Sequence, residues 1–255
     1  MGPVQHTTSA DGTPIGFRMT GSGEPLLLVH GVATTGADWF FVRPHLRERF
    51  TVVTMDRRGR GNSGDAAEYS MDREAEDVLA VLEAVNARLL VGHSYGALCS
   101  ILAAQRTDRL ERMVLYEPPI AVQPDRLDGL DEIVAAGNLD LALEQFLRSA
   151  GTSDEQLAAI RSSRAWPVLL EAIPALPREL RACTSWRTPA QPVGVPTLFL
   201  LGAETTGSVY LDGLEDLLGQ FPDLRCERIE GQQHVAHVFA AERFAGLVGG
   251  FCAAG

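Results

Sequence analysis

Gly92-His93-Ser94-Tyr95-Gly96 decides the fold of this chain, because it joins a short apolar run to a helical segment. Residues 88–91 predict a buried strand, and residues 97–104 predict the helix that follows it. A serine at so sharp a strand-to-helix turn has a strained backbone, and side chains two positions away would collide across the bend. Glycine at both of those positions avoids the clash. The stretch therefore predicts a serine hydroxyl exposed at a tight turn.

Two further signals flank this turn in the chain. Upstream, residues 25–29 (Pro-Leu-Leu-Leu-Val) predict another strand, which ends directly in His30-Gly31-Val32. Downstream, residues 225–229 predict a last strand, and Gly231-Gln232-Gln233-His234 follows it. A single Gly-x-Ser-x-Gly match also occurs in ordinary turns. The three signals in this order are far more specific for one fold than any one of them alone.

Together with Asp56 to Gly64 (Asp-Arg-Arg-Gly-Arg-Gly-Asn-Ser-Gly), these motifs resemble those of the α/β-hydrolase superfamily over essentially the whole chain. The resemblance implies an α/β fold with a mostly parallel, eight-stranded twisted sheet and helices on both faces. It does not identify a substrate, because this fold carries many different reactions.

The order of segments predicts one core domain interrupted by an insertion. Asp11-Gly12 predicts a hairpin, and core strands are predicted near residues 26–29, 51–55, 88–92, 112–116, 197–201 and 225–229. Between them, residues 118–195 read as several helices separated by glycine and proline. We therefore expect a core domain of residues 1–117 and 196–255, and a helical cap of residues 118–195 over the active site.

The resemblance implies that Ser94 is a nucleophile and that a histidine activates it. A serine hydroxyl is a poor nucleophile near neutral pH, so it needs a base within hydrogen-bond reach and an acid that orients the base. His234, on the loop after the last strand, is the predicted base. His237, three residues further on, is the alternative, although it more plausibly begins the final helix.

The acid has two candidates. Many members of the superfamily carry an aspartate about three residues after a glycine equivalent to Gly202, but that position is Thr205 here, and Glu204 is shifted by one. The other position is the end of the sixth strand, where Glu117 precedes two prolines. Glutamate has a longer reach than aspartate, which suits an approach from the neighbouring strand. We predict that Glu117 is the acid, with Glu204 as the alternative. The explanation without a catalytic role is that Glu117 is an ordinary surface carboxylate at a strand end.

Two backbone amides and several aromatic side chains complete the predicted site. The amides of Val32 and Tyr95 are expected to bind the oxyanion of a tetrahedral intermediate. Trp39 and Trp166 are predicted to line an apolar substrate pocket, although core packing explains a single aromatic residue equally well.

Composition narrows the range of partners. All 22 basic residues are arginine, and the formal net charge of −11 disfavours binding to nucleic acid or to an anionic membrane. The first ten residues do not fit a secretory signal or a myristoylation site, so we expect a cytoplasmic protein that acts on a small molecule. The four cysteines form no Cys-x-x-Cys pair, and we predict neither a disulfide framework nor a metal site.

Gly59 to Gly64 also matches the Gly-x-Gly-x-x-Gly pattern of dinucleotide-binding loops. Such a loop must open a helix directly, whereas the next helix is predicted to begin only near Met71. We therefore expect no cofactor.

These observations favour a cofactor-free serine hydrolase that cleaves an ester or lactone of a small, largely apolar molecule. Two alternatives stay open. The same residues could support a lyase, a cyclase, a C–C hydrolase or a cofactor-independent oxygenase, or the chain could bind a ligand with a vestigial triad. The sequence does not indicate the oligomeric state.

Overall fold

The computed structural model describes residues 2–253, and the side chains of all of these except 126 and 127. Eight strands form one sheet: β1 Val4–Thr8, β2 Pro14–Gly21, β3 Glu24–Val29, β4 Phe50–Met55, β5 Leu89–His93, β6 Arg112–Tyr116, β7 Thr197–Gly202 and β8 Leu224–Ile229. Their order in space is β1-β2-β4-β3-β5-β6-β7-β8. The pairs β1–β2 and β2–β4 are antiparallel, and all other pairs are parallel. The predicted mostly parallel, eight-stranded sheet is confirmed.

Twelve α-helices accompany the sheet: α1 Arg43–Leu46, α2 Met71–Ala84, α3 Tyr95–Ala104, α4 Leu130–Ala135, α5 Leu139–Ser149, α6 Asp154–Ser162, α7 Ala165–Ala172, α8 Leu176–Thr184, α9 Ser208–Leu211, α10 Leu214–Leu218, α11 Ala236–Phe239 and α12 Ala241–Cys252. That count covers only residues 2–253. Within this range no helix is both long and apolar enough to cross a lipid bilayer.

The two faces of the sheet are both buried, because alternate strand residues point to opposite sides. Leu27 and Val29 of β3 belong to a core cluster that includes residues of α2 and α3. Leu26 and Leu28 belong to a second cluster, which includes residues of α12. The predicted helices on both faces are confirmed, because each cluster joins one face of the sheet to helices that pack on it.

The chain between β6 and β7 contains helices α4 to α8, with a small apolar cluster of its own. Helices α7 and α8 are separated by a 3₁₀ turn at Ile173–Ala175. Pro174 lies in that turn, and a proline has no N–H to continue an α-helical hydrogen-bond ladder. This helical region is the one for which we predict the role of a cap.

Buried charges attach α8 to the core. The guanidinium of Arg57, which follows β4, forms ion pairs with Glu179 of α8 and, at 3.0 Å, with Glu74 of α2. Arg60 approaches the same oxygen of Glu179 at 2.9 Å. All four side chains are completely buried, so each charge depends on its partners for the stabilisation that water would otherwise supply.

Candidate active site

Ser94 lies at the sharp turn between β5 and α3. Its backbone has φ 55° and ψ −126°, a combination that residues with a side chain rarely adopt. A Cβ on Gly92 would lie 2.6 Å from Cα of Ala97, and a Cβ on Gly96 would lie 2.4 Å from the carbonyl oxygen of Val29. The two glycines therefore allow this turn to pack against both α3 and β3, which is the steric reason the sequence suggested.

His234 and Glu117 form a hydrogen-bonded pair. Nδ1 of His234 lies 2.9 Å from Oε2 of Glu117, which is the first residue after β6. Glu117 is completely buried, and His234 is almost completely buried. A carboxylate at Nδ1 keeps the proton on that nitrogen, so Nε2 of the neutral ring is left as a proton acceptor.

The second oxygen of Glu117 is also held. Oε1 accepts a hydrogen bond from the backbone N–H of Gly202 at 2.7 Å and another from Oγ1 of Thr205 at 2.5 Å. Glu117 has a positive φ of 44°, which is unfavourable for glutamate and shows that its surroundings fix its direction. Thr205 occupies the position where the sequence pattern would have placed an aspartate, and it orients the glutamate instead.

Glu204, the alternative acid, differs from Glu117 in its surroundings. It is exposed, and its backbone N–H donates to the carbonyl of Gln232 at 3.0 Å. Among the hydrogen bonds of residues 2–253, the carboxylate that reaches His234 is that of Glu117. The geometry thus favours Glu117 over Glu204 as the partner of the histidine.

Two tyrosines that the sequence analysis did not single out support His234. The hydroxyl of Tyr116 donates to the carbonyl of Gln233 and accepts from the N–H of Ala236 at 3.0 Å, so it fixes the chain on both sides of His234. The ring of Tyr210 stacks on the imidazole with centroids 4.4 Å apart and planes at 26°. In the sequence, the one indication that Tyr116 belongs to this site was its position directly before Glu117.

Ser94 and His234 line the same cavity, whose volume is about 40 Å³. Other parts of its wall are apolar and come from distant segments, including Val32, Phe146 of α5 and Leu180 of α8. Among the lining residues that the structure describes, none has a carboxylate or a guanidinium. A cavity of about 10–15 Å³ on this scale holds one water molecule, so this cavity has room for a small group of a few heavy atoms.

The loop after β3 passes close to Ser94. A Cβ on Gly31 would lie 3.0 Å from Cβ of Ser94, and Val32 lines the cavity. Tyr95 is the first residue of α3, and the first amides of an α-helix have no carbonyl partner within the helix. Both amides predicted to bind an oxyanion are therefore on segments that adjoin Ser94, and their role stays a prediction.

His30 has a structural role in that loop. Its Nδ1 donates to the carbonyl of Gly31 at 2.8 Å, and its Nε2 accepts from the backbone N–H of Arg57 at 3.2 Å. The ring is completely buried, and burial holds its pKa well below the usual value for histidine. With both nitrogens engaged, His30 connects the loop after β3 to the loop after β4.

The two tryptophans predicted for the pocket do not line the cavity that contains Ser94. Trp39 is completely buried, and its ring contacts those of His237 and Phe244 at centroid distances of 5.4 and 6.1 Å. Trp166 packs in the apolar cluster of the helical region, and its Nε1 donates to Asp140 at 2.8 Å. Each has a packing role, because burial of a large ring stabilises a core as readily as it forms a binding site.

The Gly-x-Gly-x-x-Gly segment forms a loop around a carboxylate of the chain itself. Asp56 accepts hydrogen bonds at 2.8 Å from the backbone N–H groups of Gly36 and Asn62. A Cβ on Gly61 would lie 2.4 Å from Oδ2 of Asp56, which explains the glycine. The next helix begins at Met71, so this segment does not open a helix as a dinucleotide-binding loop does.

His237, the alternative base, belongs to a separate cluster. Its Nε2 lies 3.1 Å from Oδ2 of Asp38, and its ring centroid lies 4.2 Å from that of His93. Burial lowers the pKa of His93 to about 3, so this ring is neutral over the physiological range. Nε2 of His93 donates to the backbone carbonyl of His234 at 3.0 Å, which places the cluster directly behind the histidine of the cavity.

Comparison with known proteins agrees with this architecture. A family model described as "Alpha/beta hydrolase family" matches residues 26–247. A crystal structure of an alpha/beta hydrolase from Sphaerobacter thermophilus superposes with a TM-score of 0.83 and 30% sequence identity, over 97% of this chain and 100% of that one.

Curated relatives match a shorter region. The N-formylmaleamate deformylase of Pseudomonas putida is 33% identical over 153 residues, which are 56% of this chain and 57% of that protein. The non-heme haloperoxidase of Rhodococcus erythropolis is 33% identical over 160 residues, which are 54% of this chain and 58% of that protein. The chain thus spans less than two thirds of the length of these relatives.

Proposed function

The chain belongs to the alpha/beta hydrolase family, and on that premise we propose that it is a serine hydrolase that forms an acyl-enzyme on Ser94. Its substrate would be an ester or lactone of a small, largely apolar molecule. The observation that carries the proposal is the buried His234–Glu117 pair, whose imidazole lines the same cavity as a serine on a strained turn.

The residues present supply each step of acyl transfer. Nε2 of His234 takes the proton of the Ser94 hydroxyl as the oxygen attacks the carbonyl carbon, and it later gives that proton to the leaving alkoxide. Glu117 stabilises the imidazolium that forms in between. The amides of Val32 and Tyr95 bind the negative oxygen of the tetrahedral intermediate. Water, activated by the same histidine, then releases the acid and restores the serine.

The cavity supports a short, uncharged acyl group. Its volume is small and its wall is largely apolar. Among the described lining residues, no arginine side chain is present to bind a substrate carboxylate. The relative from Pseudomonas putida is named a deformylase, and formyl is the smallest acyl group. Because the side chains of Phe146 and Leu180 form part of the wall, we propose that residues 118–195 act as the cap that limits substrate size.

A chain-length series tests this proposal. Purified protein is assayed with p-nitrophenyl acetate, butyrate and octanoate, and Ser94→Ala is the control. We expect kcat/KM to be highest for acetate, and we expect the variant to lose turnover of every ester. Covalent labelling by a fluorophosphonate should likewise require Ser94. Equal turnover by the wild-type protein and Ser94→Ala would refute the serine mechanism.

A second candidate keeps the same residues and changes the reaction. The name of the Rhodococcus erythropolis relative, a non-heme haloperoxidase, is the observation that favours a non-hydrolytic reaction in a related chain. A folded protein that neither cleaves the esters nor reacts with the fluorophosphonate would favour this candidate over the hydrolase.

A further inference from the structure

We propose that Asp38, His93 and His237 form a binding site for a divalent transition-metal ion of the zinc type. This site is separate from the cavity that contains Ser94, and it does not depend on the proposed hydrolase activity. It was not foreseen in the sequence, because its three residues are far apart in the chain and no short motif connects them.

The three side chains converge from three elements of the fold. Asp38 lies in the 3₁₀ turn Gly36–Phe40, His93 ends β5, and His237 is in α11. Their ligand atoms all lie within 4.8 Å of one another. Oδ2 of Asp38 lies 3.1 Å from Nε2 of His237 and 3.7 Å from Nδ1 of His93.

These separations suit a tetrahedral ion. Zinc binds imidazole nitrogen and carboxylate oxygen at about 2.0–2.1 Å, which for tetrahedral angles separates neighbouring ligand atoms by about 3.3 Å. Two of the three separations, 3.1 and 3.7 Å, lie on either side of that value, and the third is no longer than 4.8 Å. Imidazole with carboxylate is also a common ligand combination for zinc. A site of this type needs three protein ligands, and water can supply the fourth.

The protonation of His93 is a second, independent indication. Its Nε2 donates to the carbonyl of His234, so in the neutral ring Nδ1 has no proton and presents a lone pair. Among the described residues, Nδ1 has no hydrogen-bond partner, although the side chain is only 6% exposed and faces the carboxylate of Asp38. Two electron-rich atoms that face each other in a buried site are stabilised by a cation between them.

The backbone contact of His93 is also typical of a metal ligand. Histidines that bind metals almost always donate their other ring N–H to a carbonyl or a carboxylate, which fixes the ring and makes the ligand nitrogen more basic. In His93 that partner is the backbone carbonyl of His234. The ligand nitrogen is therefore held in the correct tautomer before any ion binds.

His237 needs one proton rearrangement. In the structure its Nε2–H donates to Asp38, so an ion that takes this nitrogen requires the neutral ring to change tautomer, with its single proton transferred to Nδ1. The Asp38 side chain is 16% exposed, which provides access for the ion and for a water ligand.

An ion at this position would join the turn after β3, the end of β5 and α11. Those segments flank Ser94 and His234, so we expect the ion to stabilise the folded protein and to hold the loop of His234. It would not act on the substrate, because its ligands lie behind that loop and are not part of the described cavity wall.

Metal titration of the chelator-treated 255-residue chain tests the site. Zn²⁺ is followed by calorimetry, and Co²⁺ by its visible ligand-field absorption, which is intense for tetrahedral nitrogen and oxygen ligands. We expect one ion per chain with Kd below about 10 μM, and thermal unfolding shifted upward with excess Zn²⁺ and restored by EDTA. Asp38→Asn and His237→Gln should each weaken binding by about 100-fold.

Matched controls separate this site from surface binding. His6→Gln with His45→Gln removes two exposed histidines, and Cys226→Ser removes the exposed thiol, so we expect these variants to bind as the wild type does. Circular dichroism and metal-free thermal unfolding establish that each variant is folded.

Three outcomes would overturn the proposal. One is a wild-type Kd above about 1 mM for both ions. Another is unchanged binding in folded Asp38→Asn or His237→Gln. The third is loss of binding in the surface-histidine or Cys226→Ser control. If a ligand variant does not fold, the Co²⁺ spectrum of the wild type decides, because six-coordinate or thiolate spectra would also exclude this site.

Discussion

Two histidines three residues apart, His234 and His237, each face a buried or half-buried carboxylate on another element. The pair His234–Glu117 uses Nδ1 of the ring, at 2.9 Å, whereas the pair His237–Asp38 uses Nε2, at 3.1 Å. The first histidine lines the cavity of Ser94, and the second packs between Trp39 and His93. A histidine–carboxylate pair is thus not sufficient to identify a base.

The comparison shows what distinguishes the two pairs. A carboxylate at Nδ1 leaves Nε2, at the far end of the ring, to accept a proton from a nucleophile. The Glu117 carboxylate is further held through Oε1 by Gly202 and Thr205. Asp38 instead has two imidazoles near the same oxygen. One arrangement fixes an imidazole in the wall of a cavity, and the other brings two imidazoles close to one carboxylate oxygen.

The largest difference between the two histidines is expected in turnover. We predict that His234→Gln lowers kcat/KM for p-nitrophenyl acetate by about 10⁴-fold or more, because the serine loses its proton acceptor. His237→Gln should cost about tenfold or less, through the support it gives to the loop. Initial rates of both purified variants measure the contrast. A larger loss in His237→Gln would reverse the assignment of the base.

Replacing the carboxylates should give the next largest effect. We expect Glu117→Gln to lower kcat by about 10³- to 10⁴-fold, because the amide no longer stabilises the imidazolium or fixes its tautomer. Glu204→Gln is the matched control, since this glutamate is exposed and its variant should retain full activity. Full activity of Glu117→Gln with impaired Glu204→Gln would transfer the role to residue 204.

Thr205 provides a finer test of how the acid is held. Thr205→Val keeps the shape of the side chain but removes the hydroxyl that donates to Oε1 of Glu117. A hydrogen bond to a charged group contributes about 1.5–3 kcal/mol, so we expect kcat to fall by about 10- to 100-fold with little change in KM. Thr205→Ser should recover most of the loss. Equal rates in the valine and serine variants would show that the hydroxyl does not act through the carboxylate.

Much of this arrangement could be predicted from local sequence. The strand-to-helix turn at Ser94 requires glycines at fixed positions, and the apolar strands have clear boundaries, so the sheet and the turn follow from short-range sterics. Glu117 was favoured because it follows a strand end, and its pairing with His234 connects the carboxyl ends of β6 and β8, which lie on either side of β7 in the sheet.

The remaining features depend on contacts between distant segments. Trp39 and Trp166 were predicted to line the pocket, but whether a large ring faces a cavity or a core depends on helices far away in the chain. Phe146 and Leu180 gave no local signal for a cavity wall. The cluster of Asp38, His93 and His237 likewise forms only when three separate segments meet in the fold, so the spacing of these residues along the chain does not indicate it.

The smallest effect is expected from the ring that stacks on the base. Tyr210 lies against His234 with ring centroids 4.4 Å apart, and such contacts contribute about 0.5–1.5 kcal/mol beyond burial. We therefore predict that Tyr210→Leu lowers kcat/KM by about 2- to 10-fold, whereas Tyr210→Phe, which keeps the ring, retains more activity. Steady-state rates of the two variants with p-nitrophenyl acetate make the comparison. If the leucine variant is as active as the phenylalanine variant, the orientation of His234 depends on Glu117 and the Tyr116 hydroxyl alone, and the stacked ring serves only as part of the cavity wall.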